Sequence, residues 1–171
     1  MAIHHPITSF PTNINRDYFG AWLSGFVDGE GYFRLGYNRQ IPVAVFGITL
    51  RADDQPILEL IRSYLGCGKP VYIAKGQSRG NENPTAMFIV KSIIHLHENV
   101  VLQFRKYPLL AKKSNDFAIW KDGVTFLYDR STTIRYDSRG RKHRGWHSWN
   151  QEHLLQFAEY VNALKETRQY Q

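Results

Sequence analysis

One carboxylate in this sequence stands where helix stability gives no reason for it. Glu30 lies between Gly29 and Gly31, directly after a stretch that predicts a helix through Tyr18 to Val27. The two glycines favour an end to the helix at this point. A carboxylate at the C-terminal end of a helix meets the negative pole of the helix dipole, which disfavours it. Because a carboxylate can hold a divalent cation, the position of Glu30 indicates a cation-binding role.

The helix that positions Glu30 has two unlike faces. Asn15 or Asp17 can cap its first turn. Its large apolar side chains share one broad face, which we predict to enter the core of the same domain: Phe19, Trp22, Leu23, Phe26 and Val27. Small or polar side chains line the opposite face, where the backbone of a second helix could approach closely: Ala21, Ser24, Gly25 and Asp28.

Two β-hairpins are predicted after that helix, separated by an amphipathic helix that begins at Asp53 or Asp54. The first hairpin covers residues 32–38 and 43–51, and the second covers 69–75 and 85–91. Alternation along the first hairpin predicts an inward face of Phe33, Leu35, Tyr37, Ala44, Phe46, Ile48 and Leu50. The outward face is a candidate binding surface that carries Tyr32, Arg34, Asn38, Thr49 and Arg51.

The last third of the chain predicts three more helices and one basic segment. Helices are expected over about 93–104, after Pro108 towards Trp120, and over 149–168. The buried side of the last helix is predicted to consist of Leu154, Leu155, Phe157, Ala158, Val161 and Leu164. Residues 130–144 hold six basic side chains and one acidic one, so we expect a basic loop over 130–147 rather than a packed helix.

Composition indicates one folded domain over residues 15–171, preceded by an arm over 1–14. Hydrophobic residues make up 43% of the 171, which suffices for a continuous core. The net charge is +7, and residues 61–171 hold eighteen basic against nine acidic side chains, so a polyanion such as nucleic acid is a favoured partner. The single cysteine, Cys67, excludes an internal disulfide. With no apolar span or targeting peptide, the chain is expected to be soluble and intracellular, without a membrane partner.

The segment Leu23-Ser-Gly-Phe-Val-Asp-Gly-Glu-Gly31 resembles the LAGLIDADG motif of homing endonucleases and related maturases. The resemblance joins a helix, a stripe of small residues, a terminal Gly-acid-Gly and an immediately following β-hairpin. From about residue 15 to 125 the predicted elements also follow the α-β-β-α-β-β-α order of that family. The resemblance implies a mixed α/β (α+β) saddle with an antiparallel DNA-binding sheet, here followed by an extra C-terminal helix.

This resemblance implies a homodimer that makes metal-dependent double-strand breaks at a long, roughly palindromic DNA site, as in intron homing. Two copies of the motif helix would pair through Ala21, Ser24, Gly25 and Asp28, because the chain holds one motif only. Glu30 would be catalytic and would bind Mg²⁺ together with Gly29, with Mn²⁺ or Ca²⁺ able to substitute in binding. A lysine near the start of the helix after the second hairpin commonly assists catalysis in the family. Lys112 matches that place best, and Lys113 is the alternative.

The four strands resemble the saddle with which the family reads double-stranded DNA in the major groove. Arg and Asn can bond bidentately with guanine and adenine, whereas Lys can neutralise phosphate. The residues expected to contact DNA are Tyr32, Arg34, Asn38, Thr49, Arg51, Lys69, Lys75, Thr85, Lys91, Lys113, Arg139, Arg141 and Lys142.

One departure from the family pattern keeps a second function open. Many single-motif members have Gln at the end of the second strand, where this chain has Leu50, which cannot form a hydrogen bond. Either Arg51 or an ordered water replaces that function, or the alignment slips by one residue. Glu30 favours a cleaving enzyme, whereas Leu50 favours a non-cleaving maturase or DNA-binding regulator. The host compartment is left open between a bacterial cytoplasm and an organelle.

Overall fold

The structure is a computed structural model that describes residues 9–74, 83–132, 134–136, 139, 142–144 and 149–169. The predicted DNA contacts Lys75 and Arg141 lie outside the described residues, as does most of the predicted arm, and of Lys142 only the backbone is described. The elements are α1 (Arg16–Glu30), β1 (Gly31–Asn38), β2 (Ile41–Arg51), α2 (Gln55–Leu65), β3 (Tyr72–Ala74), β4 (Thr85–Val90), α3 (Ile93–His95), a π-helical segment (Leu96–Val101), α4 (Leu102–Lys106), α5 (Lys113–Thr132), β5 (Ile134–Tyr136), β6 (Lys142–Arg144) and α6 (Gln151–Glu166).

The start and the end of α1 both follow from local sequence. The Asn15 side chain accepts hydrogen bonds from the backbone N–H groups of Asp17 (2.9 Å) and Tyr18 (3.0 Å), so Asn15 is the cap. At the other end the backbone of Gly31 turns extended, and its N–H still donates to the Val27 carbonyl. Glu30 is therefore the last residue of the helix, as predicted, and the chain enters β1 at once.

Four antiparallel strands form one sheet in the order β1-β2-β4-β3, which confirms the predicted fold. The pairing sets Gly31 opposite Ile48 and Thr49 opposite Met87, and it confirms the predicted alternation of side chains between two faces. One face of the sheet packs against the helices. In this core the strand residues Phe33, Phe46 and Phe88 lie with Phe104 of α4 and Trp120 of α5, all at most 1% exposed. We call the other face, which carries Tyr32, Arg34, Thr49 and Arg51, the open face of the sheet.

Two predictions for the last third of the chain are corrected. Helix α5 continues through Arg130 to Thr132, and the expected basic loop contains a short hairpin in which Ile134 of β5 lies opposite Arg144 of β6. Leu155 is 61% exposed rather than buried. Helix α6 buries Phe157, Val161 and Leu164 at intervals of three and four residues, and a residue two positions before Phe157 points about 200° away from it.

Burial of Cys67 gives a prediction that tests the core. Cys67 has no exposed surface, and burial raises the pKa of its thiol to about 12. Since the thiolate is the reactive form, we expect a disulfide reagent at pH 8 to label the native chain at least about a hundredfold more slowly than the chain in denaturant. Equal labelling rates would contradict the packing described for this region.

Candidate functional site

The Glu30 carboxylate lies where α1 meets the sheet. Its side chain is exposed, and the next residue, Gly31, pairs with Ile48 of β2. The last carbonyl groups of a helix have no partner within it, so the Glu30 carboxylate stands beside a cluster of backbone oxygens. The Glu30 carboxylate and the carbonyl oxygens at the end of α1 together form a negative site that would stabilise a bound cation.

The ammonium group of Lys113 lies at this helix end. Its Nζ donates to the backbone oxygens of Val27 (2.9 Å), Gly29 (3.2 Å) and Gly31 (2.6 Å). The side chain is half-buried, and burial lowers the pKa of Lys113 from its usual value, against the opposing effect of nearby carboxylates. Lys112, the residue ranked first from sequence, is exposed. The structure therefore brings Lys113, the alternative to Lys112 in the sequence, to the end of α1.

A polar cluster that the sequence did not reveal holds the start of α5 next to this site. Asp116 accepts hydrogen bonds from Thr167 Oγ1 (2.5 Å) and Arg168 Nε (3.1 Å), and Arg168 also donates to the Phe33 carbonyl. The end of α6 is thereby tied to the first turn of α5, which carries Lys113. A cavity of about 350 Å³ adjoins the cluster and is lined by Asp28, Ala111, Lys112, Lys113, Asp116, Thr167 and Arg168. Of this polar cluster, the sequence showed only that Lys113 and Asp116 are three residues apart, a spacing that puts two helix residues on the same side.

The exposed face of α1 differs from the predicted one. Ala21, Gly25 and Gly29 are exposed at intervals of four residues. Trp22, predicted to enter the core, is 41% exposed and stacks on Phe26 at 4.8 Å between ring centroids. The exposed stripe of small residues is therefore flanked by an aromatic pair rather than by polar side chains.

Ser24 and Asp28 are turned towards their own chain. Ser24 is 4% exposed, and its Oγ donates to the Tyr107 carbonyl at 2.6 Å. Asp28 Oδ2 accepts from the backbone N–H groups of Leu110 (2.8 Å) and Ala111 (3.1 Å). Residues 107–111 thus pack along this side of α1, which removes Ser24 from the predicted dimer surface and leaves Asp28 only partly exposed.

The open face of the sheet brings together five of the residues predicted to contact DNA: Tyr32, Arg34, Thr49, Arg51 and Thr85. Strand pairing sets Tyr32 opposite Gly47, Arg34 opposite Val45, and Arg51 opposite Thr85. The Arg51 guanidinium pairs with the Asp53 carboxylate at 2.8 Å, and both side chains are exposed. The remaining predicted contacts lie at or beyond strand ends and are exposed: Asn38, Lys69, Lys91 and Arg139.

The departure at Leu50 has a structural explanation. Leu50 is half-buried and packs against the core, whereas Thr49 and Arg51 lie on the open face. A glutamine at position 50 would therefore point away from the open face. Leu50 therefore does not reduce the number of hydrogen-bonding groups on the open face. The polar side chains on that face at the end of β2 are Thr49 and Arg51.

A substitution separates the two lysines by their contribution to stability. In Lys113→Met, three backbone oxygens at the end of α1 lose their donor, so we expect the free energy of unfolding to fall by about 1–3 kcal/mol. In the matched control Lys112→Met, the side chain is exposed, so any interaction lost is screened by solvent and the expected change is below about 1 kcal/mol. Urea denaturation followed by circular dichroism measures both. Equal effects would contradict the contacts described for Lys113.

Comparison with known proteins gives one consistent match. Residues 23–124 match a family model described as LAGLIDADG endonuclease. The chain is 29% identical over 140 residues to the probable intron-encoded endonuclease 2 of Neurospora crassa, covering 75% of this chain and 29% of that protein. It is 35% identical over 95 residues to the probable intron-encoded DNA endonuclease 1 of Mycosarcoma maydis, covering 54% and 31%. The chain thus spans less than a third of the length of these two relatives.

Solved structures agree with that match. The LAGLIDADG meganuclease I-AabMI, solved bound to uncleaved DNA, is 27% identical with a TM-score of 0.55, covering 68% of this chain and 38% of that one. The homing endonuclease I-TnaI is 23% identical with a TM-score of 0.62, covering 91% and 97%. At that identity the likeness to I-TnaI shows the fold.

Proposed function

This chain belongs to the LAGLIDADG endonuclease family, and on that premise we propose that it is an endonuclease that cuts both strands of DNA at a specific site. The observation that carries the proposal is the exposed Glu30 carboxylate at the end of α1, beside backbone oxygens that Lys113 contacts. A protein that only binds DNA gains nothing from a carboxylate directed at phosphate. The related meganuclease I-AabMI was solved bound to DNA, which supports DNA as the partner of this chain.

The open face of the sheet is the surface proposed to dock in the major groove. The groove is about 12 Å wide and admits a β-ribbon, and its base edges distinguish all four base pairs. Arg34 and Arg51 lie on this face with fixed strand neighbours, Val45 and Thr85. We propose that Lys91, directly after β4, and Lys69, three residues before β3, contact phosphate, and we propose the same for the exposed Arg139.

A divalent metal ion fits the donor atoms at the end of α1. Glu30 offers exposed carboxylate oxygens, and the Gly29 carbonyl oxygen, which accepts from Lys113 at 3.2 Å, has a second lone pair to offer. Hard cations such as Mg²⁺ take oxygen ligands. Within the described residues no group of three or more His, Cys, Asp or Glu side chains could hold a metal. We therefore propose that a second copy of the chain and the DNA phosphates complete the site. When bound, Mg²⁺ lowers the pKa of water and neutralises developing charge on phosphate, and Mn²⁺ or Ca²⁺ would support binding.

We propose that Lys113 positions Glu30, whereas the sequence had indicated a lysine that assists catalysis directly, with Lys112 first. The three hydrogen bonds of Lys113 hold the backbone on both sides of Glu30, which fixes the position of the Glu30 Cα from which the carboxylate side chain extends. Its positive charge also offsets the negative pole of α1 at the place where a phosphate would approach. We propose that Lys112, which is exposed and lines the adjoining cavity, contacts phosphate.

The second carboxylate is proposed to come from a second copy of the chain. Ala21, Gly25 and Gly29 form an exposed stripe at intervals of four residues, which lets two helices approach closely. Pairing about a two-fold axis would bring two Glu30 side chains together, one for each DNA strand. Identical subunits present identical surfaces, so the target is proposed to be roughly palindromic.

The biological role is proposed to be intron homing. Two relatives are named as intron-encoded endonucleases, which supports a target at the insertion site of the intron that would encode this chain. In the described part of the chain no helix is long and apolar enough to cross a membrane.

The experiment uses the purified chain and a plasmid that carries the two joined flanks of its own intron. We expect the plasmid to be linearised with Mg²⁺ and to stay circular with EDTA. Tight binding of this plasmid without cutting, in Mg²⁺ and in Mn²⁺ alike, would instead favour a DNA-binding regulator with the same fold.

A further inference from the structure

The middle of the open face carries no charge, although charged residues flank it. Strand pairing builds two adjacent rows across the sheet, one of Thr49, Met87 and Tyr72 and one of Tyr32, Gly47 and Ile89. The row on one side contains Arg51 and Thr85, and the row on the other contains Arg34 and Val45. The two charged rows cross β2 at Val45 and Arg51, which are six residue steps or about 20 Å apart. The uncharged centre is defined here as the two middle rows.

Four side chains form the accessible surface of the uncharged centre. Tyr72 is 45% exposed, and Met87, Tyr32 and Thr49 are half-buried. The Tyr32 ring lies over Gly47, where a Cβ would stand 2.4 Å from its Cζ, so the ring fills the space of a missing side chain. Ile89, at 8% exposure, supports this surface from the neighbouring strand. The result is an apolar and aromatic patch within a basic face.

The groups that base pairs present in the major groove determine which of them an apolar patch can contact favourably. In the major groove thymine presents a methyl group, for which apolar side chains are suited. Every base pair presents two acceptors and one donor there, and the hydroxyl groups of Tyr32, Tyr72 and Thr49 or ordered water can pair with them, so hydrogen bonding does not separate A·T from G·C at this patch. Only an A·T pair adds a methyl group, and a thymine that faces the patch therefore gains an apolar contact.

We propose that the uncharged centre is a thymine-recognition surface, in which Met87 and Tyr72 contact thymine methyl groups and make the inner part of each half-site rich in A·T pairs. The inference rests on the proposed function, because it needs the open face to dock in the major groove. Arg34 and Arg51 then bound the thymine-reading stretch on its two sides, where guanine or phosphate is contacted.

A pair of duplexes that differ only in the 5-methyl group tests this directly. Bound sequences are selected with the full chain from a library of random duplexes in Ca²⁺, and one selected clone is amplified with dTTP or with dUTP. Loss of one buried methyl group weakens binding about fourfold. With two or more contacts per dimer we expect the wild-type chain to bind the thymine form at least about tenfold more tightly than the uracil form.

Variants assign the methyl dependence to the patch. In Met87→Ser and, separately, in the exposed edge-strand variant Tyr72→Thr, the ratio of the two affinities is expected to fall towards about two. The control is Ile73→Thr: Ile73 is 43% exposed and neighbours Tyr72, but it pairs with the core-facing residue Ala86. Its ratio is expected to equal that of the wild type.

The outcomes separate the inference from its premise. Equal wild-type affinities for the two forms, or a ratio unchanged in both variants, would overturn thymine recognition while leaving a DNA-binding protein. Failure of the wild-type chain to bind any duplex would remove the proposed function and the inference with it. A selected site without A·T pairs in its inner part would also overturn the inference.

Discussion

The variant Glu30→Gln is expected to bind its DNA target within about twofold of the wild type and to cut it at least about a hundredfold more slowly. Glutamine has nearly the same size and shape, but it carries no charge and is a poor ligand for a divalent cation. Glu30 is exposed, so the exchange removes no packing contact. Losses of one hundred- to one thousandfold are typical for a single group that stabilises the transition state electrostatically.

The measurement pairs a gel-shift titration in Ca²⁺ with the rate of plasmid linearisation in Mg²⁺. The matched control is Glu159→Gln on α6, which makes the same exchange at another exposed glutamate and is expected to cut at the wild-type rate. If Glu30→Gln cut as fast as this control, the end of α1 would not be the catalytic site.

The parts of the fold that were predictable are those with local causes. Alternation of side chains assigned the faces of β1 and β2, and pairing confirmed them, because a shift of one residue would bury the polar set. The end of α1 at Glu30 also follows from adjacent residues. These features depend on interactions within a few positions or between neighbouring strands, which a sequence pattern records directly.

The orientation of α1 was not predictable in full, because a distant segment determines it. Ser24 bonds to Tyr107, 83 residues later in the chain. Tyr107 approaches α1 at Gly20, where a Cβ would stand 2.4 Å from its ring. This contact buries the Ser24 side and turns Trp22 outwards, although a helical wheel ranks the tryptophan as the better core residue. Trp22 is indeed more hydrophobic than Ser24. The sequence did not show that the segment around Tyr107 would cover the Ser24 side of α1.

The choice between Lys112 and Lys113 stayed open in the sequence for a related reason. Neighbouring residues on a helix point about 100° apart, so a shift of one position changes the partner completely. The anchor that sets the start of α5 includes Arg168, which reaches the Phe33 carbonyl 135 residues away in sequence. No local pattern encodes that contact. A site at the meeting point of α1, α5 and α6 is therefore a tertiary property, and only its carboxylate was visible in the sequence.

The variant Gly25→Leu is expected to fold as a monomer that does not linearise DNA. No described heavy atom lies within 4 Å of a Cβ built at Gly25, so the leucine side chain fits the isolated chain. Exchange of a glycine within a helix for leucine also favours the helix by up to about 1 kcal/mol. On a surface where two helix backbones meet, the same side chain would hold them apart, and the two Glu30 carboxylates with them. Sedimentation equilibrium and plasmid linearisation measure the two effects.

This variant distinguishes loss of pairing from loss of folding, which a substitution in the core could not do. Ala118→Leu adds a comparable side chain to an exposed position of α5 and is expected to stay dimeric and active. We expect the dissociation constant of the Gly25→Leu dimer to rise at least about a hundredfold, because a steric block at a close helix contact cannot relax without separating the backbones. A dimeric Gly25→Leu that still linearises DNA would show that the exposed stripe of α1 is not the pairing surface, and the second carboxylate would have to come from elsewhere.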